Sequence, residues 1–123
     1  MKLHDDRNES LNTITAYGEG WFEVNAVRHQ GPILVMPEGE VEAWPLAADG
    51  APAEGDLDPI IARAPEVVLL GTGIAHAFAP ARLTARLHAA GIGVESMDSR
   101  AACRTYNILM VEGRRVLAAL LPY

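Results

Sequence analysis

Two short segments of this chain carry residue types that could bind a ligand or act on one. Gly71-Thr72-Gly73 follows an apolar run at residues 67–70, and Asp98-Ser99-Arg100 opens a helical stretch. Glycines after a buried strand let backbone N–H groups approach an oxyanion, and Thr72 adds a hydroxyl. Ser99 stands where a helix presents its unpaired first amides, and Arg100, Arg104 and Asn107 follow on one polar stripe. His76 is close enough in sequence to contribute an imidazole. Gly71, Thr72, Gly73, Ser99, Arg100, Arg104 and Asn107 are therefore the candidate ligand-binding set, suited to a carboxylate or phosphate. Each segment also has a plainer reading. The glycines fit a sharp βα turn that needs small residues, and the arginines fit a solvated stripe paired with Glu95 or Glu112.

No complete catalytic set accompanies them. No GxGxxG or GKS/T run is present, no GxSxG elbow exists, and Ser10, Ser96 and Ser99 have no visible base. His4, His29, His76 and His88 are scattered without HxxxH, CxxC or HExxH spacing, so neither a metal site nor a cofactor is expected. Glu38, Glu40 and Glu42 alternate as the solvated face of a strand.

The elements that must position the two segments can be read from periodicity. Residues 67–70 have the unbroken apolar character of a strand buried on both faces. Ala79-Pro80 opens a helix to about Ala90, with Leu83 and Leu87 inward and Gly91 as its stop. Residues 92–96 form the next strand, parallel to the first by the crossover rule. Asp98 or Ser99 then caps a helix ending near Glu112-Gly113, and residues 114–121 close the sheet. The short Gly113 turn predicts that this last strand runs antiparallel to its predecessor. The helix before it is apolar around most of its circumference, which requires cover on a second side. Either another chain or, as expected, the N-terminal half supplies that cover: residues 14–17, 21–28, 33–36 and 41–46 read as strands of a β meander. Residues 47–58 are a loop, and Asp58-Pro59 starts a short helix to about Arg63 with Asp58 as its cap.

Half of the residues are hydrophobic and 21% charged, a globular balance that suits one domain over residues 1–123. The net charge of −6 disfavours a nucleic-acid partner. Cys103 is the single cysteine, so no internal disulfide forms, and a reducing, cytoplasmic setting is expected. The apolar runs are too short for membrane insertion, and the polar residues 1–10 do not form a targeting signal.

With those elements placed, LLGTG and MDSRAACRTYNILMVEGRRVLAALLP, together with GPILVMP, resemble a known family. It comprises small Mth-type α/β proteins of unknown biochemical activity, among them a mitochondrial complex I assembly factor and an adipogenesis-associated cytosolic protein. The positions carrying the resemblance are Gly71, Thr72, Gly73, Met97, Arg104, Thr105, Tyr106, Asn107, Glu112 and Arg114. Ser99 stands where members commonly have Thr, which keeps a hydroxyl in place. The resemblance implies a three-layer fold of β+α/β/α type, with a central mixed sheet, a βαβ core and an extra β layer. It implies no established enzymatic activity. The function expected is a non-enzymatic binding or assembly-accessory module with an unidentified protein partner, as monomer or weak homo-oligomer. The alternative is a small anionic-metabolite-binding protein or enzyme built on the Gly71 loop and the Ser99 helix start.

Overall fold

The computed structural model describes residues 11–46 and 51–123. Among them, β1 (Ile14–Gly18), β2 (Trp21–Val24) and β3 (Val27–Gln30) form an antiparallel sheet. A second, mixed sheet holds β4 (Ile33–Val35), β5 (Glu42–Ala43), β6 (Val67–Thr72), β7 (Gly93–Met97) and β8 (Val116–Leu121) in the order β5-β4-β8-β6-β7. Helices α1 (Asp58–Arg63), α2 (Ala81–Ala89) and α3 (Ser99–Val111) flank it.

The expected meander is divided between the two sheets, and burial explains the division. In β2, Phe22 and Val24 are buried while Glu23 is not, the pattern of a strand with one wet face. Ile33, Leu34 and Val35 are buried in succession, which requires cover on both faces. So β4 leaves the hairpins and pairs antiparallel with β8, Ile33 opposite Leu120. Residues 21–28 are likewise not one strand. Asn25 and Ala26 have φ of 50° and 68°, a two-residue turn that pairs Val24 with Val27. The expected strand at 41–46 shrinks to the two-residue edge strand β5. Of Glu38, Glu40 and Glu42, expected on one strand face, only Glu42 lies in it, 2.9 Å from Arg63.

The last strand also departs from expectation. β8 is antiparallel only to β4; against β6 it is parallel, from Val67 opposite Val116 to Thr72 opposite Leu121. The cause is α3. Thirteen helical residues advance roughly 20 Å, enough to recross the sheet, so the chain re-enters it from the same end. Gly113, at φ 83°, ends that helix and does not turn a hairpin.

Alternation in the five-stranded sheet then builds two cores. Ile33, Val35, Val67, Leu69, Val116, Ala118 and Leu120 face Ala102, Cys103, Tyr106 and Met110 of α3 and Ile14, Phe22 and Val24 of the small sheet. Leu34, Val68, Leu117 and Ala119 face Trp44, Ile60, Leu83 and Leu87 on the other side. Small sheet and α3, central sheet, and α1 with α2 are the three layers of the expected fold. The small sheet also supplies the intramolecular cover that α3 needed, leaving Ile108 and Val111 exposed. At α1, Asp58 does not cap; the helix starts on it and its carboxylate pairs with Arg86. Part of the expected 47–58 loop, residues 47–50, lies outside the described residues.

Candidate functional site

Gly71 and Thr72 belong to β6 itself, and only Gly73, at φ 96°, turns the chain away. A Cβ on Gly71 would lie 3.0 Å from Ser99 Oγ and from Leu120 Cδ2. Its lack of a side chain is what lets the first turn of α3 rest on the strand end. The plainer reading of this glycine, close packing, has a definite contact behind it.

Asp98 caps α3 by accepting the Ala101 N–H at 2.9 Å. Ser99 is fully buried. Its N–H donates to Gly73 C=O at 2.8 Å, its Oγ accepts the Gly73 N–H at 2.8 Å, and the same hydroxyl donates to Leu121 C=O. Serine and glycine thus close the end of the sheet with reciprocal bonds. Thr72 Oγ1 donates to Ala75 C=O at 2.7 Å and accepts the Ala77 N–H at 3.1 Å, shaping the loop that follows. In that loop His76 stands edge-on to Phe78, ring centroids 4.6 Å apart, while Ile74 and Phe78 are 70% and 87% exposed.

The polar stripe of α3 divides into three tasks. Asn107 acts as a strand mimic: Ile14 N–H donates to its Oδ1 at 2.9 Å and its Nδ2 donates to Ile14 C=O at 2.8 Å. Beside it Tyr106 donates its hydroxyl to Asn12 C=O at 2.7 Å. Arg104 donates to the Tyr17 hydroxyl at 3.3 Å, and the Arg100 guanidinium stands 5.4 Å from the centre of the Tyr123 ring. Neither arginine pairs with Glu95 or Glu112; the ion pairs among the described residues are made by Arg63, Arg86 and Arg114. The structure therefore brings Gly71, Gly73 and Ser99 into one contact. It places Arg100 and Arg104 outward beside it and sends Asn107 to the small sheet.

Sequence reasoning missed Tyr17, Trp21, Arg28 and Tyr123. Gly20 N–H donates to Tyr123 C=O at 2.7 Å, and Arg28 lies 3.7 Å over the Trp21 ring. Tyr17 meets Arg104 across 87 positions, so no local spacing could have announced it. On the opposite layer Trp44, Leu57, Ile60, Leu83 and Leu87 border a small apolar pocket with no charged side chain among the described residues of its wall.

Residues 14–121 match the family described as protein of unknown function (DUF498/DUF598). The chain belongs to this family. A crystal structure of a Bordetella parapertussis member superposes with a TM-score of 0.83 at 49% identity, covering 93% of this chain and 98% of that one. A solution structure from Bordetella pertussis, described as a Mth938-like domain, gives 0.80 at 41% identity over 92% of this chain and 87% of that one. The human NADH dehydrogenase [ubiquinone] 1 alpha subcomplex assembly factor 3 is 31% identical over 115 residues, 89% of this chain and 60% of the human protein. This chain thus spans less than two-thirds of that relative. No helix among the described residues is long and apolar enough to cross a membrane.

In this DUF498 chain the one thiol is held inert. Burial pushes Cys103 up to about 12 and raises the Tyr106 hydroxyl as well, because neither anion can be solvated there. For both groups the folded state keeps a proton that the unfolded state releases, so stability falls as pH rises. For Cys103 the loss starts near 9 and continues to about 12. Its slope approaches ~1.4 kcal/mol per pH unit for one group. The expected result is a urea midpoint that declines steadily above pH 9, with no alkylation of native Cys103 by iodoacetamide at pH 8. Rapid native-state labelling would show that the thiol is accessible and the core looser than described.

Proposed function

We propose that this protein is a non-enzymatic binding module that assists the assembly of a partner protein. One observation carries it: the polar groups at the sheet end bond to each other, while Ile74, Phe78, Arg100 and Arg104 face outward. A closed sheet end with apolar and cationic groups around it suits a protein surface better than an enclosed small-molecule site. The similarity to a relative named as an assembly factor supports the same role. We place the module in a reducing, cytoplasmic compartment, on the strength of its lone buried cysteine.

A second reading retains a small anionic metabolite as ligand, because Arg100 and Arg104 stand one turn apart beside Ser99 without carboxylate partners among the described residues. One preparation separates the two. After gentle crosslinking, the tagged chain recovered from its native extract should carry a near-stoichiometric protein partner. Recovery of free chain alone would sink the assembly role. If an anionic metabolite instead stabilises the wild type by roughly 2.7 kcal/mol at a hundredfold excess over Kd, and Arg104→Ala does not respond, the small-ligand reading replaces it.

A further inference from the structure

Helix α3 turns one face away from both sheets. With about 100° between successive residues, Ile108 points away from Tyr106 and Met110, which are buried in the core. Ile108 and Val111 are accordingly 59% and 70% exposed. Ala101 and Thr105, half-buried on the same side, are small enough for a second helix to approach closely. Arg104 and Glu112, both exposed, stand roughly 40° to either side of Ile108, one turn before it and one turn after it. These three form a single i±4 ridge, the kind that interdigitates in the commonest class of helix packing.

The charges on this face run against the helix that carries them. A helix dipole favours acids in the first turn and cations in the last. Yet α3 has Arg100 and no acid in its first turn, no cation in its last, and Glu112 as its C-cap. Among the described residues neither Arg104 nor Glu112 forms an ion pair. An antiparallel copy of the same helix reverses these mismatches. About a twofold axis through Ile108, Arg104 of each copy meets Glu112 of the other, Thr105 meets Val111, and the two Ile108 side chains meet at the centre. Each cationic half then lies beside an acidic helix end, and the two dipoles oppose.

We propose that two copies of this chain dock through antiparallel α3 helices, with Ile108 on the twofold axis and Arg104 paired with Glu112 across it. One helix pair buries less than the ~1,200 Å² of a standard stable interface, so the dimer is weak and forms at chain concentrations on the order of 0.1–1 mM. The pairing goes beyond the assembly role and does not rest on it.

Sedimentation equilibrium of the full chain at low salt is the measurement. Wild type should pass from monomer to dimer across that concentration range, and association should weaken as salt rises. Arg104→Glu and Glu112→Arg each set like charges against each other at both ends of the pair, and each should weaken the dimer at least about tenfold. An equimolar mixture of these two variants restores opposite charges at both ends, so it should associate about as tightly as wild type. The double variant Arg104→Glu/Glu112→Arg should do the same with itself. Ile108→Glu, which puts like charges on the axis, should abolish association. Arg82→Glu, an exposed position on α2, should change it by less than about twofold. Restoration by the mixture also shows that neither single variant had lost its fold.

The pairing is refuted if wild type remains monomeric at about 1 mM, or if the mixture of charge-reversed variants fails to associate. Dimerisation that survives in Ile108→Glu places the interface elsewhere and refutes it too. If wild type stays monomeric while Ile108→Glu loses a partner recovered by crosslinking, the face belongs to that other protein and self-docking fails. Failure to recover any partner from wild type bears on the assembly role alone, because sedimentation of the purified chain reads only self-association.

Discussion

Tyr106→Ala is expected to remove about 3–5 kcal/mol of stability, a large part of what a domain of this size has. The ring is fully buried in the core shared by α3, the central sheet and the small sheet. Its truncation leaves a cavity at the junction of two layers and orphans the Asn12 carbonyl that the hydroxyl now serves at 2.7 Å. Tyr106→Phe separates the two effects, keeping the ring and losing the hydrogen bond, for about 1 kcal/mol. Urea unfolding followed by circular dichroism reads both. An alanine variant within 1 kcal/mol of wild type would mean that this ring does not hold the layers together.

The second large effect is expected at Ser99. Ser99→Ala leaves the Gly73 N–H and the Leu121 C=O without their hydroxyl partner at the buried end of two central strands. With each orphaned group costing about 1–3 kcal/mol, the variant should lose about 2–4 kcal/mol. Hydrogen exchange should report the damage locally, as loss of protection at Gly73. Ser99→Thr keeps the hydroxyl and should retain most of the stability. If Ser99→Ala is neutral, the bonds between α3 and the sheet end contribute little.

The βαβ core from residue 67 onward was legible because its signals are local. Continuous apolar runs, Pro80 before α2, Gly91 after it and Asp98 before α3 each act on neighbouring residues through sterics or capping. The Gly113 turn does not announce the direction of β8, because the length of the helix before it carries the chain back across the sheet. The splitting of the meander was hidden for a different reason. Ile33-Leu34-Val35 announces burial on both faces, but no local property names β8 as the neighbouring strand. Asp58-Pro59 has the composition of a cap, yet a charge on α2 drew the carboxylate away.

Of the candidate site, residue types alone picked out the two chain segments that meet at the sheet end. Local sterics demand small residues where a strand turns sharply, and local capping demands a hydroxyl or carboxylate where a helix begins. What those residues do there was decided by packing. Ser99 turned inward to Gly73 and Leu121, Asn107 turned to the edge of β1, and Arg100 and Arg104 stayed outside against tyrosines from the far ends of the chain. Chemical capacity is a property of each side chain, whereas its partner depends on which distant strand arrives beside it. That arrival was set by burial of the two cores, a sum over the whole chain that no short segment contains.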